Sequence, residues 1–158
     1  MKPSLHAVPE SCRALETRGL GVGAATGLIA EHAAGAHVDR IGAPKLAMLA
    51  ESFLLGEAVS DEAIRAEIAP CFLDDAEGRT DSIVLGCTHY PFLLERMRAL
   101  APWDVAYIDP APAIARQAAR LWQEDGHGES VAYVTDAPSL TRYRDVFRRF
   151  GFTRSNVL

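Results

Sequence analysis

Short apolar runs alternate along the chain with stretches in which apolar residues recur every three or four positions. Asp81-Ser82-Ile83-Val84-Leu85 ends in three apolar residues, two of them β-branched, as a strand buried on both faces does. After it, Leu93, Met97 and Leu100 share the i, i+4, i+7 face of a helix. Pro91 suits its first turn, and Ala101-Pro102 stops it. Upstream, the same reading predicts a strand over 20–25, a short helix over 28–34 and a strand over 38–41. A helix opened by Pro44 then carries Leu46, Leu49 and Phe53 to Gly56. Ser60 is placed to cap the next helix, with Asp61 and Glu62 in its first turn and Ile64, Ile68 and Phe72 on one face. A polar loop covers 74–80. Downstream come a strand over 105–108, a helix with Ile114, Ala118 and Leu121 on its apolar side, and a loop marked by Gly126 and Gly128. A strand over 131–134 and a helix over 139–150, with Tyr143, Phe147 and Phe150 aligned, close the pattern.

This alternation predicts an α/β fold, a parallel β-sheet flanked by helices. Residues 1–18 carry Pro3 and Pro9 and no periodicity, so they read as an irregular N-terminal segment. One α/β domain is expected over 19–158. The chain's 158 residues, 49% of them hydrophobic, suffice for a single core. A net charge of −5 argues against a nucleic-acid partner. Arg142, Arg144, Arg148 and Arg149, interrupted by Asp145, read as a solvated helix face. The apolar stretch 19–30 is too short to span a bilayer and lies too deep for a signal peptide. No membrane partner is expected, and the location expected is the cytoplasm.

Cys12, Cys71 and Cys87 are widely spaced and form no C-x-x-C, so no metal site and no dithiol redox centre are expected. Free thiols suit a reducing compartment. Cys71, beside Phe72 on an apolar helix side, reads as a core residue. Cys12 reads as an incidental surface thiol. Cys87 differs: Gly86-Cys87-Thr88-His89-Tyr90-Pro91 places it in the turn after a strand, where open α/β sheets bind ligands. The amides and positive end of the following helix would favour negative charge there, whether thiolate or substrate carboxylate. His89 is close enough in sequence to exchange protons with the thiol or a substrate, or simply to cap the helix. His6, His32, His37 and His127 read as solvated. Gly19, Gly21, Gly23 and Gly27 miss the G-x-G-x-x-G spacing because position 26 is Thr, so no nucleotide site is expected.

The segment from Leu85 to Leu94, Leu-Gly-Cys-Thr-His-Tyr-Pro-Phe-Leu-Leu, resembles the second cysteine motif of the glutamate racemases, within the aspartate/glutamate racemase superfamily. Ile41-Gly42-Ala43-Pro44-Lys45-Leu46, the stretch from Ile108 to Arg116, and Tyr133-Val134-Thr135-Asp136 resemble further segments of that family, the last its closing strand. The resemblance implies the second domain of that fold and a cofactor-independent racemisation of glutamate for peptidoglycan synthesis. Two thiols on opposite faces of the α-carbon would exchange its proton. Carried over by motif, Cys87 is one thiol, His89 its proton-transfer assistant and a substrate ligand, and Thr88 a ligand of a substrate carboxylate. Thr26 is the one threonine left in a degenerate substrate-binding turn. The family's preceding domain, with an A-C-N-T type motif carrying the first cysteine, is not found. The chain therefore resembles a truncated racemase, with a homo-oligomer or a missing N-terminal domain as the implied partner. The alternative is a non-catalytic remnant or glutamate-binding module of the same fold.

Overall fold

The computed structural model of the chain describes residues 11–16, 37–76, 78–122 and 128–158. The strand expected over 20–25, the helix over 28–34, Thr26, His6, His32 and His127 lie outside the described residues.

Four parallel strands form the main sheet: β1 (Ser11–Glu16), β2 (His37–Gly42), β5 (Ser82–Leu85) and β6 (Ala106–Ile108), in the order β2-β1-β5-β6. The expectation of irregular structure over 1–18 is corrected for residues 11–16, which form the inner strand β1; the rest of that segment lies outside the described residues. Cys12 pairs with Val38 on one side and Ser82 on the other, and Leu15 with Ile41 and Leu85. Ser-Cys-Arg-Ala-Leu-Glu has no clean period, because both neighbours of an inner strand are supplied by distant sequence. β5 reads in the structure as its pattern predicts: Ser82, Ile83 and Leu85 are buried and Val84 half-buried.

Helix α1 (Leu46–Leu54) buries Leu46 and Ala50, and α2 (Asp61–Ile68) buries Ile64 and Ile68. Both helices share a core with β5. The Ser60 side chain accepts a hydrogen bond from the Ala63 amide, which is the expected N-cap. Cys71 sits in the 3-10 turn Ala69–Cys71 and is fully buried, as expected of a core thiol. The expected polar loop after it is a two-rung hairpin of β3 (Asp74–Asp75) and β4 (Gly78–Arg79). Thr80 ties it down: its hydroxyl donates to the Cys71 carbonyl at 2.8 Å, and its own carbonyl accepts the Trp103 indole N–H at 2.9 Å.

After β5 the chain passes through a 3-10 turn, Tyr90–Leu93, before α3 (Leu94–Leu100). Tyr90, Leu93 and Met97 are fully buried and join Ile83, Leu85 and the α1–α2 residues in one core. Arg96 clamps α3 to α2, bonding Asp61 and donating to the Val59 carbonyl at 2.7 Å. Helix α4 (Ala111–Leu121) forms where expected, with Asp109 accepting from the Ala111 amide. Its expected packing is not seen: no α4 residue is buried, and Ile114 and Leu121 are exposed among the described residues.

A parallel pair, β7 (Val131–Val134) and β8 (Arg154–Val157), makes a separate sheet joined by α5 (Ala137–Arg149). The strand over 131–134 thus forms, but it does not close the main sheet; its partner is the C-terminal strand. α5 begins two residues earlier than its apolar pattern predicts. Asp136 is its N-cap, accepting from the Ser139 amide at 2.7 Å. Contacts joining this βαβ unit to the rest include the bond Tyr143 donates to the Glu51 carboxylate, the pair of Arg142 and Glu57 at 3.3 Å, and the rings of Phe150 and Phe92, 5.7 Å apart.

Candidate active site

Cys87 lies two residues past the carboxyl end of β5, the end at which parallel sheets present ligand-binding loops. Its position follows from packing on either side. Leu85 and Tyr90 are both nearly solvent-free, so the four residues between two buried anchors must arch over the sheet's edge. The Tyr90 hydroxyl donates to the Ala43 carbonyl at 3.3 Å, and the Tyr90 amide donates to the Cys87 carbonyl at 3.2 Å. These bonds fix both ends of the turn.

Within it, Cys87 Sγ lies 3.8 Å from His89 Nδ1. This is hydrogen-bond reach for sulfur, and it joins a thiol to a proton-accepting ring in a half-buried position. A thiol–imidazole pair can pass a proton in either direction, which a lone thiol in a core cannot do. Thr88 is exposed in the same turn. The helix-end contribution expected here is corrected. A 3-10 turn follows Cys87, and α3 has only seven residues, so little aligned dipole points at the thiol. His89 is the N-terminal flanking residue of that turn, and its side chain caps nothing. The thiol contact, not helix capping, is its observed role.

His89 also walls a cleft of about 430 Å³ between α1 and the βαβ unit, lined by Glu51, Leu54, Tyr133, Val134, Thr135, Ser139, Tyr143 and Phe147. That volume suits a small molecule. Its lining among the described residues holds no lysine or arginine, and Glu51 is engaged by the Tyr143 hydroxyl. The Ser139 and Thr135 hydroxyls are engaged with Asp136, so the side chain of this lining placed to meet an anion is His89. Sequence reasoning missed Glu51, Thr135, Ser139 and Tyr143, which come from two distant segments. Their only local signal, polar residues flanking Asp136, is equally that of a helix start.

Cys71 does not join Cys87. It is sealed in the core. Cys12, read from sequence as an incidental surface thiol, belongs to an inner strand and pairs with Ser82, five residues before Cys87. At about 3.3 Å per residue, that register places the two cysteines on the order of 15 Å apart along the sheet. His37 is exposed, as expected, and bonds Asp39 at 3.2 Å. Among the described residues, no group of three or more His, Cys, Asp or Glu could hold a metal ion, and no helix is long and apolar enough to cross a membrane.

No family model matches the chain. A glutamate racemase of Sinorhizobium medicae is 44% identical over 129 residues, covering 78% of this chain and 48% of that protein. The glutamate racemase of Brucella anthropi is 38% identical over 154 residues, covering 94% of this chain and 52% of the relative. Among solved structures, the Escherichia coli glutamate racemase in complex with L-glutamate superposes with a TM-score of 0.81 at 29% identity, covering 94% of this chain and 58% of that one. A Bacillus anthracis glutamate racemase, at 19% identity, has a TM-score of 0.67 and supports the fold alone. The chain spans about half the length of the curated relatives it matches. In sequence and fold the chain is similar to one portion of the glutamate racemases.

Proposed function

We propose that this chain is the Cys87-bearing portion of a glutamate racemase, contributing one of the two acid/base groups that interconvert L- and D-glutamate for peptidoglycan synthesis. The observation that carries this reading is the Cys87–His89 contact at the carboxyl end of β5. Cys87 takes the α-proton from, or returns it to, one face of the α-carbon. His89 relays that proton and faces the neighbouring cleft. Thr88 and the turn amides receive a substrate carboxylate. The substrate class is supported by the relatives' activity and by the L-glutamate bound to the Escherichia coli protein.

The register of Cys12 and the burial of Cys71 support a second, narrower statement: this chain offers one thiol to the substrate, not two. With a proton donor on one face only, the isolated chain should exchange the α-proton of glutamate with solvent far faster than it inverts the centre. Loss of one acid/base partner typically lowers a rate by ~10²–10⁴-fold. Incubation with L-glutamate in deuterated water, followed by proton NMR and chiral chromatography, tests this. Deuterium incorporation with retained configuration, abolished in Cys87→Ala and unchanged in Cys12→Ala, is the expected result. Glutamate that binds without exchange would favour the non-catalytic binding module. Rapid racemisation lost in Cys12→Ala would refute the one-thiol reading.

A further inference from the structure

The other side of the C-terminal βαβ unit carries a second concave surface. A groove of about 260 Å³ runs between α5 and β8, walled by Arg144 and Arg148 from the helix and by Arg154, Ser155 and Asn156 from the strand region. It shares no lining residue with the cleft beside His89. Three arginines therefore line one depression of a chain whose net charge is −5. Helical spacing explains the first two, because positions i and i+4 stand one above the other on the same face. Like charges in that arrangement repel, so the groove favours an anion.

The carboxylates at hand do not fill that role. Arg148 contacts Asp145 at 3.4 Å and Arg154 contacts Glu129 at 3.1 Å, both as exposed surface pairs that hold their arginines weakly. Among the described residues, no carboxylate lies within ion-pair distance of Arg144. Half-buried Ser155 and Asn156 add uncharged hydrogen-bonding groups to the groove.

We propose that this groove binds a phosphoryl group, with Arg144 and Arg148 as its clamp and Arg154 closing the third side. Guanidinium forks match phosphoryl oxygens in pairs. A phosphoryl group presents three acceptor oxygens and so engages three guanidiniums at once, whereas a carboxylate has only two. The groove is smaller than an ordinary cofactor pocket, which suits inorganic phosphate or a terminal phosphate with the rest of its ligand outside. This assignment is independent of the chemistry at Cys87.

The probe is inorganic phosphate, titrated into ¹⁵N-labelled full chain at constant ionic strength, with acetate and chloride titrated in parallel. Saturable shifts confined to Thr153, Ser155, Asn156 and the C-terminal half of α5, with phosphate only, are expected. Arg144→Gln combined with Arg148→Gln should weaken the affinity about tenfold or more. Arg149→Gln, an exposed arginine outside the groove lining, should leave it unchanged. Arg144→Lys keeps the charge and loses the fork, so weaker binding by this variant with an otherwise native spectrum separates recognition from misfolding. Linear drifts shared by all three anions, saturation by acetate equal to that by phosphate, or full affinity in the double glutamine variant would overturn the proposal.

Discussion

Cys87 and His89 are neighbours because one residue, Tyr90, is nailed into the core beside them. Its ring is fully buried and its hydroxyl reaches across to the Ala43 carbonyl ahead of α1. The apolar ring alone would hold the turn down; the hydroxyl fixes where the turn sits relative to α1. Tyr90→Phe keeps the burial and removes one of two bonds to the Ala43 carbonyl, which still accepts the Leu46 amide, so it should destabilise the chain by about 0.5–1.5 kcal/mol in urea unfolding. It should also lower the reactivity of Cys87 without exposing Cys71. A variant as stable as wild type would show that the Tyr90–Ala43 bond contributes nothing. Tyr107 illustrates the opposite case of a phenol with no catalytic geometry. Burial, with a smaller contribution from Cys71, pushes it up to about 12, so it stays protonated and donates to the Met97 carbonyl at 3.4 Å.

At the scale of elements, those governed by local signals were legible in sequence. The α2 cap at Ser60, the apolar run of β5 and the start of β6 all follow from residues within a few positions of each other. β1 was not legible, because an inner strand of six mixed residues is defined by its two partners rather than by its own period. The partner of β7 was missed for the same reason: Arg154-Ser155-Asn156-Val157 has no strand pattern until α5 returns it beside Val131–Val134. At the site, the turn holding Cys87 and the proximity of His89 were readable from one motif. The cleft wall was not, since α1 and α5 meet only in three dimensions. Asp136 gives this element scale a test. Hydrogen bonds from the Ser139 amide and then its hydroxyl hold the Asp136 carboxyl below its usual range. A depressed carboxylate stabilises the fold fully above its unfolded value of 3.8 and loses that contribution as pH falls through the lower folded value. The hydrogen-exchange protection factors of α5 amides should therefore fall in acid more steeply in wild type than in Asp136→Asn, which caps without titrating. Parallel pH profiles would exclude Asp136 as the titrating cap.

The molecule as a whole is two units of unequal independence. The larger has a continuous core from α1 through α3; the smaller, β7-α5-β8, buries little beyond Ala132 and Val146. Of the aromatic residues that align on α5, Phe147 packs within this unit, with Tyr143 at 6.2 Å and with Phe152 at 6.0 Å, while Phe150 meets Phe92 of the larger unit. Exposed apolar side chains include Phe150 at the end of α5 and, on α4 and its end, Ile114, Leu121 and Trp122. The site falls at the seam, with Cys87 on the larger unit and the cleft closed by the smaller. Function in this account thus depends on the Cys87 thiol being open to substrate, while the only other thiol with a described side chain is shut away.

Competitive alkylation of the intact chain reads that difference directly. Iodoacetamide, with peptide mass mapping over time, should modify Cys87 roughly tenfold or more faster than Cys71, whose labelling must await opening of the core. Glutamate should slow the reaction at Cys87, and His89→Ala should slow it in the absence of glutamate. Equal labelling rates at Cys87 and Cys71, or a Cys87 rate indifferent to saturating glutamate, would contradict the assignment of Cys87 as the acid/base thiol.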